Sequence, residues 1–237
     1  MISELTWDSN FFRKKIGELK VSHEPFSYVE TALKRAKARG FQYIICKTES
    51  RDSGLIRFLE SSGFYLSDIG ITWSMRTGKF SHASGAGKEK VRKSAVVATI
   101  KDILMLKRIT KSLFLESRFY HDPFFSKEEA DSLYLAWIEN SVKGLAADIV
   151  FCIPREGFIT CRKNNRSGEI VLIGVKEGSR GKGIGTALVE EAMRWFTTQG
   201  LKSVSVRTQL RNLDAMNFYP KFGFAMKSHD MVFGKIL

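Results

Sequence analysis

Cysteine is scarce in this chain: Cys46, Cys152 and Cys161 are its three, and none forms a C-x-x-C pair. All three fall in apolar, strand-like runs, which reads as small core side chains rather than a disulfide framework or a thiolate metal site. The four histidines, His23, His82, His121 and His229, are scattered without ligand spacing, so no metal is expected. No apolar stretch reaches the ~18 residues that a membrane span needs, and the first residues lack the apolar core of a secretion signal. The chain therefore reads as cytoplasmic, with no membrane partner. Acidic residues are also short, 25 against 38 Lys and Arg, which leaves a formal charge of +13. Such a field attracts phosphate-bearing small molecules and nucleic acids alike. No aromatic-basic RNA platform accompanies it, so no nucleic acid is expected.

The most informative stretch present is residues 170–196, IVLIGVKEGSRGKGIGTALVEEAMRWF. Residues 170–175 are long enough for one buried strand. A glycine-rich turn follows, Arg180-Gly181-Lys182-Gly183-Ile184-Gly185, and then Ile184, Leu188, Ala192, Trp195 and Phe196 recur at helical spacing on one face. Strand, glycine turn and helix N-terminus together suit an anion, because glycine lets the backbone approach and the first N–H groups point outward. The two commonest loops of this kind fail on spacing. G-x-G-x-x-G is broken by Thr186, and a P-loop is broken by Lys176 and Gly183.

Elsewhere, strand and helix signals alternate. Residues 16–21 read as a strand, 28–38 as a helix, 43–47 as a strand, 54–61 as a helix, and 64–75 as one or two strands. Residues 79–93 are Gly, Ser, Ala and Lys with little to bury, and read as a linker between an N-terminal part, 1–78, and a larger part, 94–237. There, residues 96–100 read as a strand and Asp102 as the N-cap of a helix to about Leu113. Ser126 and Glu129 form a capping box for a helix to about Val142. Residues 149–153 and 157–161 form a hairpin around Pro154-Arg155-Glu156-Gly157. After the central stretch come a strand at 203–207, a helix from Asn212, and strands at 224–226 and 231–236.

The two parts share a repeat. GFQYIICKTESRDSGLIRFLESSGF (residues 40–64) aligns without gaps on GLKSVSVRTQLRNLDAMNFYPKFGF (residues 200–224), matching Gly40 with Gly200, Thr48 with Thr208 and Phe64 with Phe224. One strand–helix–strand unit is used twice. Asp52 stands where the second copy has Asn212, and Leu59 where it has Tyr219. If one copy binds a cofactor, it is the second.

Arg180, Gly183 and Gly185 resemble the pyrophosphate loop R/Q-x-x-G-x-G/A of the GNAT acyltransferases, with Val175 where that family's splayed fourth strand ends. Asn212, Ala215, Tyr219, Gly223 and Phe224 resemble its last motif. The resemblance covers residues 94–237 and implies an α/β (α+β) GNAT fold, a mixed central sheet with a splayed fourth strand. A smaller, truncated GNAT-like domain would precede it. It also implies an acetyl-CoA-dependent N-acetyltransferase. Cofactor contacts would come from Ile173, Gly174 and Val175, from Arg180, Gly181, Lys182, Gly183, Ile184, Gly185 and Thr186, and from Asn212. Tyr219 would be the acid that protonates the departing thiolate, since a phenol is protonated at neutral pH. Glu116, His121, Asp122 and Glu177 are base candidates by type only, and bound water could serve instead.

LTWDSNFF near the start, Ser117-Arg118-Phe119, and Leu135-Ala136-Trp137-Ile138-Glu139-Asn140 resemble more narrowly the members that acetylate a dTDP-linked 4-amino-4,6-dideoxy sugar for surface polysaccharides. In that reading the partner is a nucleotide-sugar substrate. Arg118 would meet a nucleotide phosphate and Phe119 or Tyr120 a base or sugar face. The resemblance also implies a homodimer. A protein, antibiotic or tRNA amine is the alternative acceptor, and a non-catalytic acyl-CoA sensor is a third reading.

Overall fold

The computed structural model describes residues 1–21, 25–80 and 94–237, so residues 81–93 of the expected linker lie outside the described residues. The first part runs β1 (Ile2–Glu4), α1 (Thr6–Phe12), β2 (Ile16–Leu19), α2 (Phe26–Ala38), β3 (Tyr43–Thr48), α3 (Ser53–Ser61) and β4 (Tyr65–Arg76). The second begins β5 (Val96–Val97), α4 (Ile103–Thr110), α5 (Arg118–His121), α6 (Lys127–Val142), β6 (Ile149–Ile153), β7 (Gly157–Asn164) and β8 (Ser167–Val175). It ends with α7 (Ile184–Thr198), β9 (Ser203–Gln209), α8 (Leu213–Phe218) and β10 (Ala225–Ile236).

Among the described residues, ten strands form one mixed sheet in the order β1-β2-β3-β10-β4-β9-β8-β7-β6-β5. The pairs β2–β3 and β8–β9 are parallel and the others antiparallel. The last strands of the two repeat units are crossed: β10 lies against β3, and β4 lies against β9. The sheet is therefore continuous across both halves of the sequence.

Alternation along the strands divides the core between two faces. On one face Ile184, Leu188, Ala192 and Phe196 of α7 pack on Ile170, Val204 and Val206. On the other, Leu106 of α4 and Leu133 and Ile138 of α6 pack on Val150, Phe158 and Tyr43. A third cluster seats α2 and α3 on Ile44 and Cys46. The three cysteines are free and buried, as their apolar surroundings require.

The local readings meet three corrections. Asp102 stands at the N-cap of α4, but its side chain closes no bond to that helix; its carboxylate instead accepts the Thr99 N–H at 2.8 Å, in the capping box of a 3₁₀ turn, Ile100–Asp102. That turn also stops the strand expected over 96–100 after Val97. The segments read as separate strands after Phe224 form the one strand β10, bent by a bulge between Met226 and Ser228. The capping box of Ser126 and Glu129 and the hairpin at residues 154–157 form where the sequence puts them.

Candidate active site

Strand β8 ends at Val175, and a 3₁₀ turn, Glu177–Ser179, carries the chain into the glycine turn. Gly181 and Gly183 sit at φ +72° and +81°, where a side chain is strained. Gly183 is the N-cap of α7, and no side chain closes the first helical turn. Its leading N–H groups thus remain open at the positive end of the helix dipole. Gly185 is required for a different reason: a Cβ there would stand 3.1 Å from the Phe218 ring, where α7 meets α8. Arg180 ties the turn to α8 through Asp214 (Nη1 to Oδ2, 3.2 Å), and Lys182 donates to the Gly178 carbonyl at 2.6 Å.

The parallel pairing of β8 with β9 stops at Ile170 and Val206, although β8 stays paired with β7 as far as Val175 and β9 with β4 as far as Gln209. The two strands therefore part in a V. A bulge at Val171 shifts the β7–β8 register, so Ile170 faces α7 while Leu172, two residues on, faces α4 and α6. A cavity of about 770 Å³ occupies this opening and takes lining from both faces of the sheet. On the α8 side its wall includes Asn212, Ala215 and Tyr219, and Ile173 stands on the β8 side. On the opposite side it includes Trp7, Asp8, Arg118, Phe119, Tyr134 and Trp137. Gly174, Val175 and residues 180–186 form the turn beyond it and are not part of that lining.

Pro220 ends α8 at Phe218, and Tyr219 opens a 3₁₀ turn, Tyr219–Phe222. The ring is 3% exposed and packs edge-on to Phe218 and Phe224, with centroids at 5.5 and 5.8 Å. Burial pushes its phenol above the usual value, so it holds its proton at neutral pH and can donate it. Asn212 lines the cavity while its Oδ1 caps α8 by accepting the Ala215 N–H at 3.0 Å.

Of the three acceptor-side residues singled out in the sequence, Arg118 and Phe119 reach the cavity and Tyr120 does not. The Tyr120 hydroxyl is committed to Asp131 at 2.5 Å. Arg118 lies over the Phe119 ring, 4.3 Å from its centroid. Asp122 accepts hydrogen bonds from the Tyr43 and Tyr65 hydroxyls and is buried, so it works as a brace between halves rather than as a base. Glu116, His121 and Glu177 also stand outside the lining. Sequence reasoning missed Asp8 and Tyr134. Asp8 lies inside the LTWDSNFF segment already noted, and burial raises its carboxyl against the opposing charge of Arg118.

A parted parallel strand pair, a glycine turn entering an uncapped helix and a buried phenol beside the intervening cavity are compatible with an acyl-transferring class of enzyme. Residues 107–224 match the Acetyltransferase (GNAT) family, and the chain belongs to it; it is an N-acetyltransferase of that family. The dTDP-fucosamine acetyltransferase of Escherichia coli O6:H1 is 25% identical over 233 residues, 96% of this chain and 94% of that one. An N-alpha-acetyltransferase of Sulfolobus acidocaldarius is 30% identical over 146 residues, 58% of this chain and 82% of its own. Among solved structures, a GCN5-related N-acetyltransferase from Sphaerobacter thermophilus superposes with a TM-score of 0.67 at 12% identity, over 99% of this chain and 76% of that one. That likeness concerns the fold alone.

Proposed function

We propose that this protein transfers the acetyl group of acetyl-CoA to the amino group of a nucleotide-linked, dTDP-bearing 4-amino-4,6-dideoxy sugar for surface polysaccharide assembly. The observation that carries the reading is the span of the likeness to dTDP-fucosamine acetyltransferase, which includes the N-terminal half. The Sulfolobus relative matches 58% of the chain. That N-terminal half, which we read as a truncated copy of the catalytic part, supplies Trp7 and Asp8 to the cavity.

In this reading the pyrophosphate of acetyl-CoA rests on the N–H groups of residues 180–186, and the thioester arm enters the V between β8 and β9. Backbone donors of Ile173, Gly174 and Val175 polarise the thioester carbonyl. The neutral amine attacks directly, a C–N bond forms as the C–S bond breaks, and Tyr219 gives its proton to the sulfur. Arg118 meets a phosphate of the nucleotide. The exposed indole of Trp7, stacked on Phe11 with centroids 5.1 Å apart, offers the face for its base that Tyr120 does not.

The test is thiol release from acetyl-CoA against dTDP- and UDP-linked 4-amino-4,6-dideoxy sugars, an aminoglycoside and a lysine peptide. Turnover restricted to a nucleotide sugar is the expected result. Faster turnover of the peptide or the aminoglycoside would replace the acceptor, and no binding of acetyl-CoA would remove the cofactor.

A further inference from the structure

Most of the charged side chains that line the cavity are neutralised in place. Arg162 is paired with Glu169 at 3.0 Å, and Asn164 donates to the same Glu169 oxygen at 3.1 Å. Arg207 is held by Asp230 of β10 through two hydrogen bonds of 3.3 and 2.7 Å. Asp8 and Arg118 are the exceptions. Both line the cavity, yet they close no ion pair with each other or with any other described residue. No described side chain donates to the Asp8 carboxylate; only its own N–H, in the first turn of α1, acts on it directly. Asp8 is half-buried, and its helix is firmly seated. The hydroxyl of the next residue, Ser9, accepts the Ile16 N–H of β2 at 3.0 Å, and Phe12 packs on Phe125 with centroids 4.7 Å apart. A carboxylate and a guanidinium held apart in one cavity are completed by ligand groups of opposite sign.

An amine reaches the cavity at neutral pH largely as the ammonium, and a cation taken out of water needs an anion beside it. Glu169, the other carboxylate of the lining, is already committed to Arg162 and Asn164. We propose that Asp8 receives the amino group of the acceptor, pairing with it as the ammonium and taking one proton from it before attack; this rests on the acceptor being an amine bound in this cavity, as above. Arg118 is left for the anionic part of the same ligand. One N–H bond of the ammonium breaks and an O–H bond forms on Asp8. The freed lone pair attacks the thioester, the C–S bond breaks, and sulfur takes the Tyr219 proton. The second amine proton restores Tyr219, and Asp8 returns its own to solvent. The charges that reach Asp8 are Arg118 of α5 and Lys47 of β3, the latter itself paired with Glu18 of β2 at 3.7 Å. Burial outweighs both and raises the Asp8 carboxyl above the ordinary range, which brings it nearer to an amine and eases the transfer.

The experiment compares the wild-type protein with Asp8→Asn, which keeps the side chain's shape, and with Asp8→Glu, which keeps its charge. At pH 7 the asparagine variant's kcat/KM for the dTDP-linked amino sugar falls by about 10²-fold, recovering as pH rises and the free amine becomes neutral. Its Kd for that sugar weakens about tenfold, while the Kd for the 4-hydroxy counterpart and for acetyl-CoA stays as in the wild type. The glutamate variant regains part of the lost turnover at pH 7. Unchanged kcat/KM at pH 7, a loss equal at every pH, or no gain from glutamate over asparagine overturns the proposal. Equal weakening toward amine and alcohol also overturns it, since Asp8 would then act only by orienting Arg118. If the wild-type protein acetylates a different amine, the acceptor reading fails alone, and the same pH profile on that amine decides the role of Asp8.

Discussion

Asp52 and Asn212 occupy the same position in the two repeat units and do the same work. Each side-chain oxygen accepts the N–H three residues on at 3.0 Å, Asp52 from Leu55 and Asn212 from Ala215, and so caps α3 and α8. One of the two also lines the cavity. Replacing either by alanine is expected to lower stability by about 1 kcal/mol in denaturant titrations. Asn212→Ala is expected in addition to weaken acetyl-CoA, whereas Asp52→Ala leaves that Kd alone. An equal effect of both on the Kd would remove Asn212 from the cofactor site.

Tyr219→Phe keeps the ring against Phe218 and Phe224 and removes only the hydroxyl. We expect kcat to fall about 10²-fold or more with little change in the KM for acetyl-CoA. The raised phenol pKa also sets a sign for stability. The folded state retains the proton longer than the unfolded chain, so this group's contribution is complete below about pH 10 and is lost as pH rises beyond it. Turnover unchanged in the phenylalanine variant would mean that the thiolate is protonated from elsewhere.

Gly183→Ala forces a side chain to φ +81° at the N-cap of α7. The strain costs about 1 kcal/mol and tilts the open N–H groups away from their ligand. Thermal stabilisation by acetyl-CoA should therefore shrink, with Kd weakened about tenfold. Gly178→Ala, where a Cβ meets nothing within 4 Å and φ is ordinary, is the control that should bind normally.

Asp68, buried on β4, predicts a pH-dependent stability difference. A carboxyl that burial raises above the ordinary carboxylate range destabilises the fold where it is ionised, and that penalty fades as pH falls and the folded state takes up the proton. Asp68→Asn should melt higher than wild type at pH 7, with the gain shrinking as pH drops toward 4. A lower Tm at pH 7 would show that the carboxylate has a stabilising partner in the folded protein.

Tyr43→Phe removes one of the two phenols that hold Asp122. The ring is fully buried and stacked on Phe124 with centroids 4.3 Å apart, so packing survives while a buried acceptor loses its donor. We expect a loss of about 1–3 kcal/mol of folding stability. A neutral result would make Tyr65 alone a sufficient brace.

Local grammar accounts for what could be read directly from the chain. The capping box at Ser126, the turn around Pro154, the glycine turn and the apolar stripe of α7 are set by residues within a few positions of each other. Their backbone preferences and hydrogen bonds form without help from the rest of the molecule. Asp102 takes the N-cap position read for it, but its carboxylate is drawn back to Thr99 one turn earlier and so caps no N–H of α4. The repeat was legible as two strand–helix–strand units, yet nothing in either unit says that β4 and β10 trade neighbours. That exchange depends on pairing between strands more than 120 residues apart in sequence, such as Ile71 with Thr208 and Phe233 with Cys46. The cavity wall is of the same kind. The sequence by itself determined the turn that can hold an anion and pointed to Tyr219 in the segment after β9. Only the tertiary structure set Asp8, Arg118 and Tyr134 against the end of β9, and turned Tyr120 away, because a side chain's neighbours across a sheet are chosen by register and packing rather than by its own sequence.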